Sequence, residues 1–248
     1  MNKQKVLFYT VLAASLTFVV GCFDPPEFSE VPEIKFKNIR FVEVENALDT
    51  LMLSFEFQDG DGDLGLVPEI DFAPYQPFWQ VEDNNGDFVF FGEPADSVAL
   101  PLFIVNPLNL SQRSFYSDTY TPLPYNCKDW FIRAEPFQDT VLIVENEWNK
   151  NIRIDIFRKI GGEYIFINDQ LSAGDCTEDF DARIPIFDLG NVIEERPISG
   201  VINYALLSQA FIPVFRNDTM KFEFYIYDLA LNRSNIAETP DFVLNNIR

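Results

Sequence analysis

The residues best suited to chemistry are three aspartates, Asp59, Asp61 and Asp63, which alternate with glycines in a short loop. Three like charges within a few ångströms repel by roughly 1–4 kcal/mol per pair at the effective dielectric of a protein surface. The glycines allow positive φ, so the loop can direct its carboxylates and carbonyls toward one point. Hard oxygen ligands suit Ca²⁺, so the sequence predicts a structural calcium site; the alternative is a solvated acidic turn.

The loop is not an EF-hand, because Leu64 stands where that motif requires glycine and Ile70 where it requires the closing glutamate. The element that must position the loop lies directly before it. Residues 51–57 alternate apolar and polar side chains, which indicates a half-buried β-strand.

No catalytic residues are predicted. The chain contains no histidine, which removes the Ser-His-Asp triad, the Cys-His pair and His-ligated zinc. Glycoside hydrolysis needs only two carboxylates, but with 39 aspartates and glutamates no pair stands out. We therefore expect no enzyme, with a carboxylate-dependent hydrolase as the remaining alternative.

The first residues have the pattern of a targeting signal. Lys3 and Lys5 precede an apolar run over residues 6–20, a pattern typical of a secretory signal rather than a transmembrane helix. Residues 19–22 read VVGC, which resembles the lipobox of bacterial lipoproteins. The resemblance implies that residues 1–21 are a signal peptide and that Cys22 is acylated, with palmitate among its lipids, so the chain is anchored in a membrane.

The residue after Cys22 is Phe23, not the aspartate that resembles an inner-membrane retention signal. Residues 22–33 are rich in proline and carboxylates, which predicts an extended acidic tether. Acidic residues close to the lipidated cysteine also resemble the surface-export signal of Bacteroidetes lipoproteins. The expected location is the outer membrane at the cell surface, with its periplasmic face as the alternative.

The net charge of −21 argues against nucleic acid as a partner, because phosphates would be repelled. Once Cys22 is assigned to lipid, Cys127 and Cys176 remain. Two cysteines in an oxidising compartment are most simply a disulfide, and we predict that bond. The alternative, a thiol nucleophile, would have no histidine partner.

Residues 34–248 are expected to form the folded domain, and a split into two sub-domains near 125–140 is the alternative. Hairpins are predicted over residues 78–91 and 151–168, with Asn85-Gly86 and Gly161-Gly162 as their turns. Residues 93–126 read mostly as long loop. No segment has a sustained helical period, so the predicted class is all-β.

The strand predicted over residues 221–227 is followed by Asp228, small residues, Asn232 and a serine. This pattern resembles the penultimate strand and turn of immunoglobulin-like and fibronectin-like bacterial domains. Together with the acidic loop, it resembles uncharacterised lipoproteins of the Bacteroidetes group. The resemblance implies an antiparallel β-sandwich with long loop insertions, and it implies no activity.

Exposed aromatic rings on such a sandwich can stack on sugars, and Trp79 and Trp148 are the candidates. The alternative places these rings in the core. Four hydroxyl residues follow an aspartate and precede an apolar residue, a pattern that resembles the O-glycosylation sequon of Bacteroidetes envelope proteins: Thr50, Ser97, Thr140 and Thr219. The local preferences of Asp for turns and Thr for strands are an equally good explanation.

These features favour a lipid-anchored protein with a binding or scaffolding role in the cell envelope. One alternative is a glycan-binding accessory lipoprotein of a polysaccharide-uptake system. A second is an envelope hydrolase that uses two carboxylates. The envelope protein or glycan that would be bound is not identified by any motif.

Overall fold

The computed structural model describes residues 27–43, 49–67, 69–70, 72–106, 109–126, 128–133, 139–168, 180–185, 196–208, 215 and 217–248. Its strands, in chain order, are β1 (Glu33–Val42), β2 (Asp49–Asp59), β3 (Phe78–Glu82), β4 (Leu102–Asn106), β5 (Asn109–Ser117), β6 (Trp130–Ile132), β7 (Thr140–Glu145), β8 (Ile152–Ile160), β9 (Glu163–Phe166), β10 (Ile198–Ser208), β11 (Met220–Ile226) and β12 (Ala237–Glu238). Two 3-10 turns, Glu147–Asn149 and Leu244–Asn246, accompany them. All pairings between these strands are antiparallel, and the predicted all-β class is confirmed.

The strand β2 is the centre of a three-stranded sheet, paired with β1 on one side and β10 on the other. Its alternating apolar residues are all buried: Leu51, Leu53, Phe55 and Phe57. The predicted period of two is thus confirmed, and it turns one face of the sheet toward the core.

A second sheet, in the order β12-β11-β8-β9, covers that face. The strand β11 alternates buried and half-buried residues along its whole length. Phe55 of β2 packs against Phe224 of β11 with 5.2 Å between ring centroids. Because one hydrophobic core takes residues from both sheets, the seven strands form an antiparallel β-sandwich.

The chain between β2 and β8 forms a third sheet, in the order β5-β4-β3-β7-β6. It has a smaller core of its own, made by Val81, Val89, Val98, Leu102, Trp130 and Leu142. The prediction that residues 93–126 are mostly loop is wrong where β4 and β5 lie. All but the last residue of β5 are exposed, so β5 is held by its ladder to β4 and has no apolar face that a sequence pattern could reveal.

The two predicted hairpins differ in outcome. Residues 151–168 form the hairpin β8–β9, with Gly161 and Gly162 at φ of 62° and 95°, as a type I′ turn requires. Around Gly86 the turn also forms, but β3 pairs with β4 and β7. Phe88 and Phe90 make only isolated bridges.

Candidate metal centre

Asp59 is the last residue of β2 and occupies the next inward-facing position after Phe57. The alternation of the strand therefore directs its side chain into the end of the core, and the residue is completely buried, at 0% exposure. An aspartate in this position has lost its water, so its charge needs a compensating partner.

Asp228 reaches the same place from the other sheet. It continues the inward-facing positions of β11, two alternations beyond Phe224, just as Asp59 lies two alternations beyond Phe55. Since Phe55 and Phe224 are in contact, the two strands carry their aspartates to the same end of the core. Asp228 is 2% exposed.

The turn after β11 fixes the carboxylate of Asp228. The backbone amide of Asn232 donates to Oδ1 at 2.7 Å, and the side-chain amide of Asn232 donates to Oδ2 at 2.9 Å. Leu231, at φ of 67°, completes this turn in the left-handed region. The asparagine thus holds Asp228 in one orientation while both carboxylate oxygens keep further lone pairs for another partner.

Asp63 completes the group from the acidic loop. The amide of Ala230 donates to its Oδ2 at 2.9 Å, and the amide of Leu229 donates to its carbonyl oxygen at 3.3 Å. One carboxylate oxygen each from Asp59, Asp63 and Asp228 lie within 4.8 Å of one another. Of the predicted ligands, the structure brings Asp59 and Asp63 together, whereas Asp61 is not in this group of three.

Several carboxylate oxygens of the acidic loop are buried without a hydrogen bond of ordinary geometry from any described residue. No described residue donates a hydrogen bond of ordinary geometry to either carboxylate oxygen of Asp59, and both are buried. One carboxylate oxygen of Asp61 and one of Asp63 are also buried without a hydrogen-bond donor of ordinary geometry among the described residues. Buried carboxylate oxygens without donors are strongly unfavourable unless a cation or a proton neutralises them.

The pKa values of Asp59, Asp63 and Asp228 are all raised, as expected for buried carboxylates that lie close together. Burial, followed by the charges of Asp61 and Asp228, raises the pKa of Asp59 from 3.8 to about 6. The nearby backbone amides of Leu64 and Gly62 offset part of this pKa shift without forming hydrogen bonds of ordinary geometry. Burial, followed by the charges of Asp228, Asp61 and Asp59, raises the pKa of Asp63 to about 7. Burial also raises the pKa of Asp228, although hydrogen bonds from Asn232 offset part of the shift.

Glycines bring the loop close to its neighbours. The amide of Gly60 donates to the carbonyl of Ser29 at 2.8 Å, and a Cβ on Gly60 would lie 2.5 Å from the carbonyl oxygen of Phe28. Gly62, at φ of 75°, lies so close to Arg196 that a Cβ would meet its carbonyl oxygen at 2.3 Å. The glycines are thus required by backbone packing as well as by curvature.

Tyr75, from the segment that leads into β3, reaches the same end of the sandwich. Its hydroxyl donates to the carbonyl of Leu229, next to Asp228. Burial, and then the charges of Asp63 and Asp228, raises the pKa of Tyr75. The segment that leads into the third sheet therefore contacts the turn that carries Asp228.

The described ligand set consists of carboxylate oxygens, the hard donors that Ca²⁺ and Mg²⁺ prefer, without the nitrogen or sulfur that zinc sites usually employ. Asp228 is the residue that sequence reasoning missed as a ligand, since it was interpreted as part of a fold signature. The alternation of the strand could have revealed it, because positions 222, 224, 226 and 228 all face inward.

The candidate sugar-stacking residues are not prominent on the surface. Trp79 lies on β3 and Trp148 in the 3-10 turn Glu147–Asn149, and both are half-buried. More exposed rings occur elsewhere on the third sheet, where Phe91 packs edge-on against Tyr125 and the buried Trp130. The role of the two tryptophans in glycan binding stays a prediction.

The four candidate glycosylation positions all lie among the described residues. Ser97 is exposed and donates its hydroxyl to the carbonyl of Pro94 at 2.8 Å. Thr50, Thr140 and Thr219 are half-buried at or beside strand ends. Their modification stays a prediction.

The predicted lipidation at Cys22 and the predicted disulfide between Cys127 and Cys176 fall outside the described residues. Within the part of the chain that the structure describes, no helix is long and apolar enough to cross a membrane.

A groove of about 370 Å³ crosses the sheet β1-β2-β10 and includes Glu33 and Glu56 in its lining. Glu56 forms an ion pair with Lys37 at 3.3 Å, and both side chains are about half exposed. Both glutamates are exposed to solvent, whereas Asp59 and Asp228 are buried. The acidic group at the end of the sandwich is therefore the better candidate for chemistry.

Comparison of the chain with protein-family models, with curated proteins and with solved structures finds no match.

Proposed function

We propose that this protein binds one calcium ion at the end of its β-sandwich, through Asp59, Asp63 and Asp228. The observation that carries the proposal is the burial of both Asp59 oxygens without a hydrogen-bond donor of ordinary geometry among the described residues, within reach of two further carboxylates. A divalent cation would relieve both the desolvation of these groups and their mutual repulsion. The ion would be structural, joining β2 to the turn after β11.

Calcium is favoured over magnesium because the carboxylates stand on a strand end, a glycine-rich loop and a second turn. Calcium accepts six to eight oxygens in flexible geometry, including backbone carbonyls and water. Magnesium requires a near-ideal octahedron and loses its water reluctantly. Asp61, whose charge raises the pKa of both Asp59 and Asp63, adds electrostatic attraction for either ion.

The wider role that we propose is binding or scaffolding by an immunoglobulin-like domain anchored to the outer membrane through Cys22. The strand order supports the fold assignment. Of the seven sandwich strands, the first, second and fifth form one sheet, and the remaining four form the other. Two antiparallel sheets of this size, joined by crossing connections, are typical of immunoglobulin-like and fibronectin-like domains.

Calcium binding is tested by thermal unfolding and calorimetric titration of the full chain in detergent, first treated with chelator. A ligand specific for the native state stabilises it by about 2.7 kcal/mol at a hundredfold excess over Kd. We expect CaCl₂ to raise Tm and MgCl₂ to raise it less. A melting curve that is the same in calcium and in chelator would overturn the proposal.

The anchor is tested by Cys22→Ser. Without a thiol to acylate, we expect the protein to leave the detergent phase of a membrane fractionation, while its calcium response is retained. Equal membrane retention of the variant and the unsubstituted chain would contradict the lipid anchor and leave the metal site unaffected.

A further inference from the structure

The acidic loop is also the place where the segment before β1 rests on the sandwich. Residues 27–32 run past the loop, and the carbonyl of Ser29 accepts a hydrogen bond from the amide of Gly60 at 2.8 Å. The approach is close enough that a Cβ on Gly60 would lie 2.5 Å from the carbonyl oxygen of Phe28 and 2.7 Å from that of Ser29. The segment is therefore fitted against the backbone of the loop itself.

The same loop carries two of the three proposed ligands, Asp59 and Asp63. Gly60 lies between Asp59 and Asp61, so the amide that holds Ser29 belongs to the peptide that directly follows a proposed ligand. Three residues after Gly60, Asp63 is held to the turn after β11 by hydrogen bonds from the amides of Ala230 and Leu229. A movement of the loop away from this turn would necessarily displace the surface on which residues 28 and 29 rest.

Repulsion provides the force for such a movement. In the absence of a cation, the ionised carboxylates repel one another by roughly 1–4 kcal/mol per pair, and an opening of the loop lowers that repulsion. Local opening of this kind is a normal low-energy excursion of a folded protein. A cation shared by Asp59, Asp63 and Asp228 would oppose it, because opening would separate its ligands.

We infer that calcium fastens residues 27–32 to the sandwich, so that the ion controls how firmly the membrane-proximal segment is docked. The inference rests on the proposed calcium site and adds a regulation to it. With calcium bound, the segment leaves the domain in one direction; without calcium, it detaches together with the loop. For an acylated Cys22, this difference sets the freedom of the domain relative to the membrane.

Cleavage by a glutamate-specific protease measures the docking. Glu30 lies in the segment and is exposed, so the protease can cut after it whenever the backbone is released. Glu163 is also exposed, in the β8–β9 hairpin at the opposite end of the β8–β11 ladder, and it serves as the internal control. With the full chain in detergent, we expect CaCl₂ to slow cleavage after Glu30 by up to about a hundredfold at a hundredfold excess over Kd. Cleavage after Glu163 should not change.

Gly60→Ala separates docking from binding. The added methyl group cannot coexist with the carbonyls of Phe28 and Ser29, yet Gly60 contributes no carboxylate and does not have a positive φ that would exclude alanine. We expect this variant to keep a calcium-dependent rise in Tm and to be cut after Glu30 equally fast with and without calcium. Amide exchange of a peptide spanning residues 55–66 in the unsubstituted chain provides a second readout, slower in calcium.

The outcomes are distinguishable. A calcium-dependent Tm with cleavage after Glu30 and amide exchange that ignore calcium would overturn this inference and leave the calcium site standing. A Tm that ignores calcium would overturn both. Calcium-dependent protection of Glu30 that persists in Gly60→Ala would also contradict the inference, because the contact at Gly60 would then not carry the coupling.

Discussion

Two aspartate- and glycine-containing turns in this chain look alike in sequence and differ in structure. Residues 59–63 read DGDGD and residues 83–87 read DNNGD. In both turns the first aspartate is buried, with Asp59 at 0% and Asp83 at 6% exposure. The amides of Asn85, Asp87 and Ala99 donate to the carboxylate of Asp83, at 2.8, 3.1 and 3.2 Å respectively.

The hydrogen bonds of Asp83 are therefore satisfied within the protein. Asp59, in contrast, has two buried oxygens and no donor of ordinary geometry among the described residues. The comparison shows that acidic composition does not create a metal site. What distinguishes the two turns is whether backbone amides satisfy the carboxylate through hydrogen bonds of ordinary geometry, as they do at Asp83. Among the described residues, only the turn that contains Asp59 takes part in a group of three carboxylates within 4.8 Å of one another.

The largest expected effect concerns the satisfied turn. Asp83→Ala leaves three backbone amides without their acceptor, and unsatisfied buried groups cost about 1–3 kcal/mol each, so we expect a loss of about 3 kcal/mol after partial hydration. Chemical denaturation measures the loss, which should be the same in calcium and in chelator. Asp87→Ala, at an exposed position of the same turn, is the matched control and should change stability little. If the stability lost in Asp83→Ala depended strongly on calcium, the two turns would not differ in the way proposed.

The next largest effect concerns Asp59, where, unlike at Asp83, a substitution should not destabilise the calcium-free protein. Asp59→Asn removes a charge that is unfavourable without calcium, so the variant should be as stable as the unsubstituted chain, or more stable, in chelator. In calcium it should lose the stabilisation of about 2.7 kcal/mol expected at a hundredfold excess over the original Kd. Asp61→Asn, outside the group of three, should retain part of the calcium response. If Asp59→Asn is destabilising in chelator to the same degree as Asp83→Ala, then Asp59 is structural in the same way.

The smallest effect is a dependence on pH. The pKa values of Asp59 and Asp63, about 6 and about 7, lie above the unfolded value of 3.8. Between these values the folded state binds more protons than the unfolded state, so the stability of the calcium-free protein falls as pH rises from about 4 to 7. Calcium requires the ionised carboxylates, and its increment in Tm should be larger at pH 8 than at pH 5.5. Melting curves at both pH values, with and without calcium, measure the difference; an increment independent of pH would contradict the raised pKa values.

Several features of this protein were determined locally and could be predicted from the sequence. The alternation of residues 51–57 and the Gly161-Gly162 turn specify β2 and the β8–β9 hairpin, because side-chain parity and turn conformation depend on adjacent residues. Asp59 and Asp63 are close in sequence, and their glycines already indicated a curled loop. The parity of Asp59 even indicated burial, since it follows Phe57 on the inward face.

Other features were decided only by tertiary structure. The strand β5 has no apolar face, and its position is given by the hydrogen-bonding edge of β4. Asp228 joins Asp59 only because two sheets stack with Phe55 against Phe224 and end together. The sequence therefore specified which aspartates face inward, whereas the meeting of Asp59, Asp63 and Asp228 at one point arose from packing between distant segments, which no local pattern encodes.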